Sequence, residues 1–129
     1  MGGEDMRLQE SGEMYLETIY ILSKKNNNVH SIDVGEYLGY SKPSVSRAMS
    51  ILKTGGYITM AADGALNLTT LGREIAEKIY ERHTLLTELL ISLGVDSETA
   101  SEDACRLEHD ISDKSLYAIR QHLIKEGKI

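Results

Sequence analysis

Residues 31–56 read SIDVGEYLGYSKPSVSRAMSILKTGG, and the fold turns on this stretch. Ser31 is placed to cap a short helix over Ile32–Leu38, and Gly39 supplies the left-handed residue that ends it. Ser41 can cap the next helix, with Pro43 in its first turn, where no amide donor is needed. That helix should run to Lys53, with Val45, Met49 and Leu52 as its inward stripe at i, i+4 and i+7. Two short helices joined by a tight Gly-containing turn make a helix-turn-helix, whose second helix reads the major groove with its N-terminal side chains.

Downstream, Gly55-Gly56 ends the reading helix, and Tyr57–Ala61 and Ala65–Leu68 flank Asp63-Gly64, a strong hairpin cue. A helix-turn-helix followed by a β-hairpin is a winged helix. The charge distribution agrees with this. Residues 37–62 hold no acid and carry Lys42, Arg47 and Lys53, whereas the whole chain of 129 residues has a formal charge of −6. Among Ser41, Lys42, Pro43, Ser44, Ser46 and Arg47, the small hydroxyls allow close approach to phosphate and base edges, and Arg47 can bond a guanine bidentately.

Upstream, residues 1–5 read as a disordered leader, and Tyr15, Ile19 and Leu22 recur at helical spacing over Leu8–Lys25. Met14 and Glu17 share a face there at i, i+3. Taken alone, Met14 reads as core filler and Glu17 as an exposed acid. Beyond the wing, Thr69 or Thr70 opens a long helix over Leu71–Leu93, ended by Gly94 and interrupted on its apolar face by His83. Ser97 then caps a fifth helix, and Ser112 a sixth with Leu116, Ile119 and Leu123 as its stripe.

The fifth helix carries Cys105-Arg106-Leu107-Glu108-His109. At 100° per residue, Cys105, Glu108 and His109 fall within one arc of about 100°, spanning roughly 6 Å along the axis. A thiolate, a carboxylate and an imidazole on one rigid face are three donors to first-row transition metals. The bland alternative is a small buried cysteine beside a solvated Glu-His edge, with His83 a satisfied, partly buried histidine.

Composition bounds the rest. With Cys105 as the single cysteine, no intrachain disulfide forms, and the absence of an apolar N-terminal run argues against a secretory signal or membrane span, so the cytoplasm is expected. One proline, no tryptophan or phenylalanine, and abundant Leu, Ile and Glu favour a mainly α chain.

Taken together, Glu13–Tyr20, Ser41–Arg47, Arg82-His83 and Asp103–His109 make the chain resemble the diphtheria toxin repressor and manganese transport regulator family of metal-dependent bacterial repressors. The resemblance implies a winged helix over residues 1–72, followed by a helical metal-binding and dimerisation domain over residues 73–129. It also implies a cytoplasmic homodimer on a palindromic operator in double-stranded DNA, with a divalent metal between the lobes as corepressor. In iron-responsive members the primary site stands at the positions of Met14, Cys105, Glu108 and His109. In manganese-responsive short members, carboxylates replace the first two, and the positions of Glu17 and His83 also carry ligands. This chain looks like a short form, without the SH3-like domain of longer relatives, bearing iron-type ligands. The ancillary site of those relatives falls on Thr87 and Ser101, which are poor metal ligands. Thioether and thiolate donors suit Fe²⁺, Co²⁺, Ni²⁺ or Zn²⁺ better than Mn²⁺, and iron is the expected effector. A manganese-responsive regulator is the alternative. A small metalloenzyme and a winged-helix interaction module without metal are rivals; neither a substrate-dedicated constellation nor a Gly-rich phosphate loop supports an enzyme.

Overall fold

A computed structural model describes residues 10–129. The expected leader and the helix start at Leu8 lie outside the described residues. The chain divides into two compact units between Glu77 and Lys78.

In the first unit the order is α1 (Glu10–Ser23), α2 (Ser31–Leu38), α3 (Lys42–Thr54), β1 (Ile58–Met60) and β2 (Leu66–Leu68), followed by the first turns of α4 (Thr70–Ser92). Helix α3 starts as its sequence dictates: Ser41 is extended, and its Oγ accepts from the Ser44 amide at 3.3 Å. Gly39 ends α2 at φ 75°, a value that costs a residue with a Cβ. The cap of α2 is His30 and not Ser31, which is the first helical residue. Val29 accepts from the Leu66 amide at 2.7 Å, and this pairing holds the chain extended through His30, whose own N–H donates to the Asp33 carboxylate at 2.8 Å.

The hairpin is antiparallel, with Ile58 opposite Leu68 and Met60 opposite Leu66. Its inward residues Ile58 and Leu66 join Val45, Met49 and Leu52 of α3, Val34 of α2, and Tyr15, Leu16 and Ile19 of α1 in one core. Burying a residue of this size contributes about 1.5 to 3 kcal/mol, so α3 is held by the stripe that leaves Lys42, Ser46 and Arg47 exposed. Thr69 locks the wing to the start of α4. Its Oγ1 donates to the carbonyls of Gly56 and Tyr57, at 2.7 and 3.0 Å, and accepts from the Gly72 amide at 3.1 Å.

The second unit holds the rest of α4, α5 (Ser97–Leu107) and α6 (Asp113–Lys125). Gly94 ends α4 at φ 105°. Helix α5 is capped by Asp96, whose carboxylate accepts from the Thr99 amide at 3.0 Å, and not by Ser97, which is helical. Asp and Ser are comparable caps, and the residue with extended dihedrals takes the role. Ser112 caps α6 as its sequence suggests, and Leu116 and Leu123 are buried there with Leu85, Ile119 packing against them.

Candidate metal centre

Glu108 is the centre of the second unit's polar cluster. It continues the buried line of α5, four residues beyond Ala104 and eight beyond Ala100, both fully buried, and its own side chain is 1% exposed. Helix α5 stops at Leu107, two residues short of a continuous helix through His109, so Glu108 is its C-cap and His109 lies in the following turn. Glu108 keeps helical dihedrals, φ −62° and ψ −24°, so the carboxylate still projects as the helical register predicts.

A buried carboxylate must be paired or neutralised. Here His83 of α4 directs Nδ1 at Glu108 Oε1, 2.9 Å away, and His109, 4% exposed, sets Nε2 3.4 Å from Oε2. The exposed Cys105 brings Sγ to 3.9 Å from the same His83 Nδ1. The opposite ring nitrogen, Nε2, lies 3.2 Å from Ser101 Oγ. Cys105 and Glu108, against the opposing effect of burial, hold the His83 pKa up to about 10. At neutral pH His83 is therefore an imidazolium, and its Nδ1 proton supplies the positive charge that Glu108 requires.

The donor atoms of His83, Cys105 and Glu108 all lie within 4.8 Å of one another. Ligands around one tetrahedral ion with bonds of about 2.0 to 2.3 Å sit roughly 3.5 Å apart, so a small side-chain adjustment brings this set onto a metal. The donor set fits a divalent transition ion: one soft sulfur, one imidazole nitrogen turned inward by Ser101, and one desolvated carboxylate.

The expected residues fall into three groups. His83, Cys105 and Glu108 are brought together, with His109 against the far oxygen of Glu108, and the reading of Cys105 as a buried hydrophobe and of Glu108–His109 as a solvated edge is overturned. Met14 and Glu17 lie on α1 in the first unit. There Met14 Sδ is 3.9 Å from the Tyr40 hydroxyl, which donates to it, and Glu17 is buried at 6% exposure, not an exposed acid. Ser41, Lys42, Pro43, Ser44, Ser46 and Arg47 line the start of α3. The Ser41 hydroxyl donates to Ser44 Oγ at 3.0 Å, and Lys42, Pro43, Ser46 and Arg47 are exposed. Ser101, at one of the ancillary positions, serves His83 instead, while the Thr87 hydroxyl is buried with no hydrogen-bond partner among the described residues.

Arg82 escaped sequence reasoning as a site residue. Its Nη1 donates to the carbonyls of Glu108 and Ile111 at 3.1 and 2.8 Å, and its Nη2 donates to Asp113 Oδ1 at 2.6 Å. The available sign was its place directly before His83 in the sequence.

Comparison with known proteins agrees with both units. Residues 7–66 match the iron dependent repressor N-terminal DNA binding domain, and residues 69–125 match the iron dependent repressor metal binding and dimerisation domain. The chain is 34% identical over 115 residues to an uncharacterised HTH-type transcriptional regulator of Methanocaldococcus jannaschii, covering 88% of this chain and 92% of that one. It is 32% identical over 119 residues to the diphtheria toxin repressor of Corynebacterium diphtheriae, covering 92% of this chain and 51% of the repressor. A solved manganese-dependent transcriptional repressor in complex with manganese is similar at 28% identity and a TM-score of 0.80, over 87% of this chain and 52% of the other. The chain thus spans about half the length of those last two proteins. A winged helix and a helical unit gathering His83, Cys105 and Glu108, matched in order by the two domains over residues 7–66 and 69–125, establish that the chain belongs to the iron-dependent repressor family.

Proposed function

We propose that the chain is a divalent-metal-dependent transcriptional repressor, not an enzyme. It acts in the cytoplasm as a homodimer, with residues 1–72 reading DNA and residues 73–129 binding metal and pairing the subunits. The observation that carries this reading is the convergence of His83, Cys105 and Glu108 within 4.8 Å in the second unit. The proposed ligands are these three with His109; Met14 and Glu17 join the list through the family resemblance alone.

His83, Cys105 and Glu108 would hold a divalent ion, which would supply fixed positive charge to the buried Glu108 carboxylate where the His83 proton now does. The chain's own groups make that exchange possible. His83 would offer Nδ1 to the ion once that nitrogen is deprotonated, with Ser101 at Nε2 holding the ring's orientation. Cys105 is exposed and would offer its sulfur as the soft ligand. Leu93, Leu107, Tyr117 and Ile124 are exposed apolar residues of the second unit, available for pairing with a second copy. A two-fold dimer presents two α3 helices and favours a palindromic operator, with Arg47 at a base edge, Lys42 and Ser46 at phosphates, Pro43 and Ser44 close to the groove wall, and Ser41 holding the helix start.

Iron is the proposed effector, because Cys105 contributes a soft donor. One observation favours a manganese response instead: the shortest contact in the cluster is between His83, a manganese-type position, and Glu108. Both readings are tested by selecting a duplex from a random library and measuring its affinity anaerobically with Fe²⁺, Mn²⁺, Zn²⁺ or a chelator. Binding that needs metal and is lost in His109→Ala is expected. Binding indifferent to chelation would overturn the metal-dependent reading in favour of a plain winged-helix module, and the ion with the lowest half-maximal concentration decides between iron and manganese.

A further inference from the structure

Arg82 is the only buried arginine or lysine among the described residues, and each bond it makes falls on the segment that carries the cluster. Helix α5 ends at Leu107, which leaves carbonyls at its C-terminus without intrahelical donors. The Leu107 carbonyl is met locally, by the amides of Asp110 and Ile111. The Glu108 carbonyl is met by Arg82 Nη1, which also holds the Ile111 carbonyl, while Nη2 holds Asp113 in the first turn of α6. One rigid guanidinium therefore ties the end of one helix, the turn after it and the start of the next. A lysine, with a single nitrogen, cannot span those three acceptors.

Two consecutive residues of α4 thus grip the same residue from two sides: His83 takes the Glu108 carboxylate and Arg82 takes its backbone carbonyl. Asp113 balances the positive charge that would otherwise repel a cation near Glu108. We propose that Arg82 is a positioning residue for the metal centre, holding Glu108 where its carboxylate meets His83 and Cys105, with His109 beside it. This rests on the metal-binding reading above, and its effect is exerted through the backbone of residues 108–113 without a bond to the ion.

The test compares the parent chain, Arg82→Lys and Asp113→Asn. Co²⁺ serves as the probe, since thiolate ligation gives it a charge-transfer band, and amide hydrogen exchange of the metal-free proteins is followed over residues 108–113. Removing groups that orient metal ligands typically costs about 10- to 100-fold in affinity. Arg82→Lys should lose Co²⁺ affinity by that factor and exchange faster across residues 109–113, with exchange at Leu123 in the α6 core and the far-UV circular dichroism unchanged. Asp113→Asn should show the same exchange pattern with a smaller affinity loss, and it carries the test if Arg82→Lys fails to fold. Parental Co²⁺ affinity in a folded Arg82→Lys, or unchanged exchange over residues 109–113, overturns the role of Arg82 alone. A parent chain that shows no thiolate band and binds no Co²⁺ overturns the metal reading, and with it this inference.

Discussion

Replacing Gly72 by alanine sets helix propensity against space, and the two predict opposite signs. Within a helix, alanine is favoured over glycine by up to about 1 kcal/mol. The structure forbids that gain. A Cβ on Gly72 would lie 2.1 Å from the Tyr57 carbonyl oxygen and 3.0 Å from its carbonyl carbon, where the obstacle is backbone and cannot rotate away. Relief requires α4 to retreat from the wing by about 1 Å, a shift typical of overpacked sites that cost roughly 1 to 3 kcal/mol. That retreat also stretches the two bonds that Tyr57 O accepts, from the Thr69 amide at 3.1 Å and the Thr69 hydroxyl at 3.0 Å. At about 1 kcal/mol each, and after subtracting the propensity gain, Gly72→Ala should destabilise the first unit by about 2 to 4 kcal/mol. Urea unfolding followed by tyrosine near-UV circular dichroism reads this directly, because Tyr15, Tyr20, Tyr37, Tyr40 and Tyr57 all lie in that unit. A midpoint equal to or above the parent's, with unchanged slope, would refute the close approach.

Arg47→Ala should weaken binding to a selected operator by about 1 to 3 kcal/mol while leaving the helical circular dichroism unchanged; an equal loss on random duplex would assign Arg47 to phosphate and not to a base. The raised pKa of His83 gives opposite pH slopes to stability and to metal binding. Its folded-state value of about 10 exceeds the ordinary 6.5, so its contribution to the metal-free fold is complete below pH 6.5 and is lost as pH rises through 10. The stability difference between parent and His83→Gln should therefore shrink from pH 6 to 10, while Zn²⁺ affinity of the parent rises over the same range because a proton must leave. A difference independent of pH would show that His83 is not an imidazolium in the metal-free chain. Cys105→Glu should shift the ratio of half-maximal Mn²⁺ to Fe²⁺ concentrations toward manganese by about tenfold, measured anaerobically on operator binding; an unchanged ratio would remove the thiol from metal selection.

What the sequence determined by itself is the part of the fold written in local chemistry. The stripe of Val45, Met49 and Leu52, the caps Ser41 and Ser112, the terminators Gly39 and Gly94, and the Asp63-Gly64 hairpin each depend on residues within a few positions of one another. Their readings therefore survive folding. The donors at Cys105 and Glu108 were legible for the same reason, since helical register puts them on one side, whereas His109 lies in the turn beyond α5. Two caps moved by one residue, to His30 and Asp96, because which residue takes extended dihedrals is settled in one case by the pairing of Val29 with Leu66 and in the other by which carboxylate or hydroxyl meets the first free amide.

Only tertiary structure decided the rest. The burial of Glu108, its pairing with His83 across 25 positions, the Ser101 contact that orients the imidazole, and the Arg82 clamp all join residues far apart in the chain. Gly72 shows the same division. It reads as a weak helix residue until the Tyr57 carbonyl is placed against it. Periodicity reports which face of an element is apolar, but a buried charge obeys a different demand. It must find its partner wherever the packed chain supplies one, and that partner is fixed only when the helices have met.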